Sequence, residues 1–419
     1  MTAAGLSTID RWPVVRPQAS ASGLPDRWIA RRMTLVWALL FFNGLGSAPI
    51  TTLLPIPRAV EQLMTAGSLA AALIVAMGLN RRALIRPNLV LGLSAILVVV
   101  ALMASVRTAP NLGTAWRCIR FGGFVAVLWL LTPWWGRRDL LLARCHLRVL
   151  LGVSAIVAAG LLVGPSRARP DGRLVGIIWP IPAPQVAEYA AVAAGMVAVL
   201  WLSGSVGHRR ALLLGAGEVA IILLTQTRTA LLALAAGVAV TGLSLFVARR
   251  RVRRVVTVIV IVAPMLAAAL APAFSAWYTR GQSTAQINDL TGRRTTWEAL
   301  LAEQRTGLDQ WIGLGLSNKS FGGHPIDNDW LAVYQDEGLV GDGLVALTLL
   351  ILVLTPALRP PGPARSLAIF IAVYCAVASY TEVGLGDASP YLLHATVAAS
   401  LLAATNSRLR LRAFTKGAE

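Results

Sequence analysis

The chain has 419 residues, 56% of them hydrophobic and 14% charged, with a formal net charge of +19. A soluble domain normally carries about a quarter charged residues. Here the apolar excess comes as unbroken blocks of roughly 17–24 residues, enough to cross a hydrocarbon core of about 30 Å as helices. Blocks that do not alternate with period two exclude a β-barrel. Basic residues at the ends of the blocks, rather than on one face, exclude a nucleic-acid binder. What remains is an all-α polytopic membrane protein.

In chain order, Met1–Arg32 lacks a compact apolar region and a small-residue cleavage site, so it reads as a cytoplasmic tail and not a cleaved signal peptide. Apolar blocks then predict twelve helices, over 33–54, 59–79, 88–106, 117–135, 146–164, 185–204, 211–226, 229–248, 254–274, 330–357, 366–385 and 389–405. The organisation is a tail (1–32), helices one to nine (33–274), an external loop (275–329), helices ten to twelve (330–405) and a tail (406–419). With the N-terminus inside, each short cytoplasmic loop carries arginine: Arg81, Arg82 and Arg86, then Arg137 and Arg138, Arg209 and Arg210, Arg249–Arg251, Arg359. That assignment places 25 of the 38 basic residues inside and both termini in the cytoplasm. Arginine outnumbers lysine, present only as Lys319 and Lys416, which suggests a GC-rich bacterial genome and hence a bacterial inner membrane. Cys118, Cys145 and Cys375 show no metal-ligand spacing and predict neither a disulfide nor a metal site.

The external loop of about 55 residues is far longer than ordinary connections, and loops of that length are functional or disordered. Trp277, Tyr278, Trp297, Trp311 and an apolar helical pattern over Thr295–Leu308 make this one an ordered cap on a single membrane domain.

The chemistry should lie among the external charges that topology leaves unexplained. Arg173, in the loop before the Trp179–Pro182 turn, offers a guanidinium fork suited to phosphate or carboxylate oxygens. Arg167 and Arg169 read as residues snorkelling to the interface. Arg228 lies in the very short turn Thr225–Ala230, where an ionisable group near the membrane boundary is either functional or paired, with Glu218 or Glu188 as the partners. The densest polar group is His324-Pro325-Ile326-Asp327-Asn328-Asp329, running into helix ten. A carboxylate or histidine there is placed to accept a proton from a hydroxyl while arginines neutralise a leaving phosphate. One of Asp327, Asn328 and Asp329 should also cap the helix. Glu188, Glu218, Asp336, Glu337, Asp342, Glu382 and Asp387 fall in or beside helices.

Asp327-Asn328-Asp329-Trp330-Leu331, followed by Gly338-Leu339-Val340-Gly341, resembles the signature of the O-antigen ligase and polymerase superfamily. Gly292-Arg293 with Trp297, Gly313-Leu314-Gly315, Thr227-Arg228-Thr229 and Arg173-Leu174 with Gly176 and the Pro180–Pro184 region are similar to four further family elements, in the family's order, over roughly residues 170–345. The resemblance implies a GT-C-type glycosyltransferase bundle acting on a glycan linked to undecaprenyl pyrophosphate, with a glycan or lipid-glycan acceptor, membrane lipid around it, no nucleic acid, no metal and no cofactor. It also implies that Arg173, Arg228 and Arg293 hold the pyrophosphate, and that Asp327, Asn328 and His324 handle the acceptor hydroxyl. The position occupied by histidine in the ligases is Asp327 here, which is more similar to the polysaccharide polymerases. A flippase or transporter of lipid-linked oligosaccharide is the competing expectation; against it, no repeated halves are visible.

Overall fold

The computed structural model describes residues 23–45, 50–108, 112–246, 249–279, 282–283, 289–305 and 307–403. The predicted tails before Gly23 and after Ala403, and Arg280 in the external loop, lie outside the described residues.

Each of the twelve apolar segments overlaps a helix, although the helix under 33–54 stops at Gly44 and the one under 366–385 stops at Ala378, each short of the predicted end. They are α1 (Gly23–Gly44), α2 (Arg58–Leu79), α3 (Leu89–Thr108), α4 (Leu112–Leu131), α5 (Leu141–Val163), α7 (Ala183–Leu202), α8 (His208–Thr225), α9 (Arg228–Phe246), α10 (Arg250–Thr279), α13 (Asp329–Leu354), α14 (Pro363–Ala378) and α15 (Pro390–Leu402). The short α6 (Pro165–Ala168), α11 (Arg293–Ala302) and α12 (Leu308–Ile312) belong to connections, as does a hairpin of two-residue strands, β1 (Ser320–Phe321) and β2 (His324–Pro325). The protein is thus an all-α membrane protein, in which α2, α3, α4, α5, α7, α9 and α13 are the described helices long and apolar enough to cross a bilayer. Two apolar helices, α14 and α15, are shorter, with 16 and 13 residues. The first helix begins ten residues before the apolar block that announced it, because Asp26, Arg27, Arg31 and Arg32 ride on its first turns.

The axis of the bundle is α7. In its apolar stretch 83% of residues are buried, against 22% in α2, which faces outward. Small residues make this possible, since Ala187, Ala190, Ala191, Ala193, Ala194 and Gly195 let neighbouring backbones approach. Phe370 of α14 wedges into the gap: a Cβ on Gly195 would lie 1.8 Å from its ring, and one on Gly237 of α9 would lie 2.8 Å away. The outer surface is correspondingly greasy, with Leu112, Leu162, Leu243 and Leu358 at least three-quarters exposed.

Cross-connections sort the helix ends into two faces. At one face the Asn80 amide bonds the Leu130 carbonyl, the Gly136 amide bonds the Ser400 carbonyl, and Arg251 bonds the Trp201 carbonyl. At the other, Leu53 bonds Ile177, Leu174 bonds Leu224, Arg117 bonds Leu316 and Trp277 bonds Leu223.

One polar thread crosses the core. The Trp37 indole N–H donates to His146 Nδ1 at 2.8 Å, His146 Nε2 meets His394 Nδ1 at 2.8 Å, and His394 Nε2 meets Glu188 Oε1 at 2.9 Å. An indole can only donate. His146 Nδ1 must therefore accept, which sends each following N–H in one direction, from Trp37 to Glu188.

Candidate functional site

The arginine-rich mouth is built by four connections of the second face. The first is the segment between α6 and α7. Leu174, Val175, Ile177 and Ile181 are buried, and a Gly176–Ile181 bridge folds the segment onto the bundle. Only glycine fits at 176, since a Cβ would sit 2.7 Å from the Trp179 carbonyl oxygen. Pro182 and Pro184 then start α7, where proline's missing amide costs nothing. This brings Arg173 across to the α8–α9 turn, where its Nε donates to the Thr225 carbonyl at 3.1 Å and Nη2 reaches the Thr227 hydroxyl at 3.4 Å.

The second connection is that turn itself. Gln226, in a left-handed conformation (φ 53°), closes α8, and Arg228 opens α9. Arg228 donates to the Gln282 side chain at 2.7 Å and lies 4.5 Å over the Tyr278 ring. Its Nε is buried without a hydrogen-bond partner. The expected ion pair with Glu218 or Glu188 is not made. Glu218 accepts from the Ser154 hydroxyl at 2.7 Å, and Glu188 belongs to the histidine thread. Among the described residues neither Arg173 nor Arg228 has a carboxylate partner within salt-bridge distance.

The third connection is the external loop. Gly292 (φ 88°) takes the left-handed position that begins α11, so Arg293 starts that helix and points to Asp327, with Nη2 and Nε 3.0 and 3.1 Å from Asp327 Oδ2. Trp297, one turn on, donates to the Ile326 carbonyl and clamps α11 onto the end of the hairpin. Asp327 itself is at φ 43°, a strained position for a residue with a side chain. Asn328 caps α13, its side-chain oxygen accepting from the Leu331 amide at 3.2 Å. His324 stands exposed on the β1–β2 hairpin. The first residue of α13, Asp329, accepts from the Gly384 and Leu385 amides at 2.6 and 3.1 Å.

Those amides belong to the fourth connection, Ser379–Ser389, which dips into the bundle because α14 and α15 are short. Its depth is marked by the Ala388 carbonyl, which accepts from Arg120 at 2.5 Å, two turns inside α4. The Thr381 hydroxyl donates to that of Thr229 at 2.7 Å, tying this connection to the α8–α9 turn. Glu382 is thereby held within electrostatic reach of Arg293, Asp327 and Arg173. Burial, with opposing help from Arg293 and Arg173, leaves its carboxyl pushed up to about 8. At Arg173, burial and then the like charge of Arg293 pull the guanidinium below its usual value.

Arg173, Arg293 and Asp327, all marked out by the sequence, lie around Glu382, and Arg228 follows the Thr227 hydroxyl that Arg173 reaches, while its own guanidinium engages Gln282 and Tyr278. His324 is exposed on the hairpin strand that packs beside α11, and Asn328 is engaged as a cap. Glu382 was visible only as an acidic residue beside a helix; no local pattern marks it.

The glycine elements are structural. α13 breaks at Gly338 (φ 66°, ψ −163°), and the carbonyls of Gln335 and Asp336 that the break frees are taken by the Leu314 and Gly315 amides at 2.9 Å each. A Cβ on Gly313 would lie 2.4 Å from the Asp336 backbone, and one on Gly338 would lie 2.5 Å from that of Trp311. Gly313-Leu314-Gly315 and Gly338 thus form one joint, locking the external loop to α13. Lys319 completes it with an ion pair to Asp336. Burial opposes the charge on Lys319, but Asp336, Glu337 and Asp387 outweigh it and hold the amine well above its ordinary value.

Among the described residues no cluster of three or more histidine, cysteine or acidic side chains is arranged to hold a metal ion. No family model matches the chain, and no curated protein matches it.

Proposed function

We propose that this protein is a membrane glycosyltransferase that polymerises or ligates glycan units carried on undecaprenyl pyrophosphate, for a cell-surface polysaccharide. The single observation that carries the reading is the approach of Arg173 to Arg293, from two separate connections, beside the α8–α9 turn that carries Arg228. Bringing like charges together in a chain that must fold in or beside lipid is costly unless an anion compensates. Arg173 and Arg228 have no carboxylate neighbour in salt-bridge contact, and Arg228 keeps an unpaired buried N–H. A pyrophosphate at a membrane surface supplies the missing charge, with oxygens suited to guanidinium forks.

In this reading twelve helices cross the inner membrane of a bacterium in a GT-C-type bundle, with both termini cytoplasmic and the mouth on the outer side. An acceptor hydroxyl, on a glycan or lipid-glycan, attacks the anomeric carbon of the donor as the bond to the pyrophosphate breaks. The arginines stabilise charge that grows on the leaving group, a type of contribution worth about 10²–10³ in rate per donor.

Glycan analysis of cells lacking the protein, beside cells making the Arg228→Ala form, tests this. Collapse of long polymer to single lipid-linked units in both supports a polymerase. Polymer that persists but stays on the lipid carrier identifies a ligase. Single units trapped on the cytoplasmic face would sink the enzyme reading and identify a flippase.

A further inference from the structure

The transfer needs a group to receive the proton of the acceptor hydroxyl, and the side chains that the sequence offers for it are otherwise placed. His324 is exposed on the hairpin, and Asn328 is committed to capping α13. Asp327 Oδ2 is taken up by Arg293, through a hydrogen bond from Nε at 3.1 Å and an ion-pair contact with Nη2 at 3.0 Å.

We infer that Glu382 is the catalytic base of this transferase, taking the acceptor hydroxyl's proton, and that Tyr380 beside it supports the acceptor sugar; the assignment rests on the function proposed above. Four observations carry it. Glu382 stands in the same mouth as the arginines, with Arg293, Arg173, Asp327 and Glu188 as the charged groups around it. Among the described residues its carboxyl forms no hydrogen bond or ion pair, although two guanidinium groups lie within electrostatic reach. The residue as a whole is half-buried, unlike the neighbouring Gly384 and Leu385, which are buried. Finally, its backbone is fixed, by the Glu382 amide on the Ala378 carbonyl at 2.9 Å and by the Thr381–Thr229 bond.

Two residues earlier, Tyr380 is 58% exposed and meets the edge of Trp297, the ring centroids 5.6 Å apart. A large aromatic left open beside a charged mouth, and stiffened from behind by a second ring, is a flat apolar platform of the kind that binding sites use to orient a ligand. A sugar ring lying on Tyr380 would present its hydroxyls toward Glu382.

The hydroxyl oxygen forms a bond to the anomeric carbon and gives its proton to the Glu382 carboxylate. The bond from that carbon to the phosphate oxygen breaks, and its electron pair leaves on undecaprenyl pyrophosphate, where the arginines meet it. Burial has raised the proton affinity of Glu382 to the neutral region, which suits a general base.

The test uses the full-length protein in lipid nanodiscs, supplied with the lipid-linked glycan that accumulates in cells lacking it. Transfer is followed from about pH 6 to about pH 9, and Kd for undecaprenyl pyrophosphate is measured alongside. The wild-type kcat should rise with pH and level off above about pH 8, as the base loses its proton. Glu382→Gln should lower kcat about 100-fold or more and abolish that rise, with Kd for undecaprenyl pyrophosphate within about threefold of wild type. Glu382→Asp should recover part of the rate, and Tyr380→Ala should raise the acceptor KM while leaving the pH profile in place. Asp327→Asn should keep the pH-dependent rise. A Glu382→Gln protein that transfers within about threefold of wild type, or whose residual rate keeps the rise, overturns the assignment. So does one that no longer binds undecaprenyl pyrophosphate. If the wild-type protein transfers nothing from the lipid-linked donor, the transferase reading itself falls, and the base falls with it.

Discussion

Two polar networks in this bundle are built by opposite rules. In the thread Trp37–His146–His394–Glu188 every member is buried and every ring nitrogen has a partner at 2.8–2.9 Å. In the mouth, Arg173 and Arg228 draw on a carbonyl, a hydroxyl and an amide, Arg228 Nε has nothing, and Glu382 is unbonded. The thread ends at an indole, which cannot pass a proton on. It is therefore a closed fastening of α1, α5, α7 and α15 and no route across the bundle. A buried group left short of partners costs about 1–3 kcal/mol. The thread avoids that cost at every ring nitrogen, and the mouth bears it at Arg228 Nε.

The contrast can be broken most sharply at the arginines. Arg228→Ala or Arg173→Ala should reduce glycan transfer by about 100-fold or more, equivalent to about 2.7 kcal/mol of lost transition-state stabilisation. The melting temperature should stay level or rise, because like charges are being relieved. Transfer assays and thermal unfolding on the same nanodisc samples check both halves. A variant that melts early and keeps its rate per folded molecule would move that arginine into the structural class.

The thread should respond in reverse. His394→Phe fills similar space but strands the Glu188 carboxyl and the His146 N–H, and is expected to cost about 2 kcal/mol of stability. Hydrogen bonds between membrane helices are on average weaker, about 0.6 kcal/mol each, so a loss of that order per bond is the lower expectation. The transfer rate per folded molecule should remain within about threefold. Denaturation in detergent gives the first quantity, and the assay gives the second.

These networks were unequally legible in the sequence. The helices were readable because lipid demands long apolar runs, and the arginine of the Thr225–Ala230 turn stood out because charge there is conspicuous. Helix ends were less so: α1 reaches back to Gly23 because a helix continues past the apolar core into its charged flank. The thread was invisible, since His146 and His394 are 248 positions apart and each is an ordinary residue in an apolar run. Glu382 was hidden for the same reason, because what distinguishes it is its spatial neighbours. Gly338 was noticed as part of a motif, yet the unbroken hydrophobicity of its helix concealed the break.

That break supplies a third, smaller test, since the joint fixes the external loop that carries Arg293. Gly338→Ala places a side chain at φ 66°, costing about 1–2 kcal/mol from the backbone alone, and pushes a Cβ against Trp311. Stability and transfer should fall together, unlike either class above. Hydrogen exchange at the Leu314 and Gly315 amides should rise first, because those amides hold the freed carbonyls. Unchanged protection there would mean that the joint tolerates the methyl group and does not set the position of the loop.

The last effect is the most specific, because it isolates one group in the open network. Burial raises the Glu382 carboxyl in the folded state to about 8, whereas an unfolded glutamate titrates near about 4.3. Between those values the folded protein holds a proton that the unfolded chain has released, so stability falls as pH rises through that window and levels off above it. The melting temperature of the wild-type protein should accordingly contain a component that declines from about pH 5 to about pH 8. Glu382→Gln should remove that component and give a protein more stable than wild type at the upper end, with no difference at the lower end. The Lys319 pair does not mimic this, since its amine is raised and its contribution is lost only in strongly alkaline solution. Were Glu382→Gln to leave the difference between pH 5 and pH 8 unchanged, the carboxyl would be ionised in the folded state, and the mouth would be less short of compensation than its hydrogen bonds indicate.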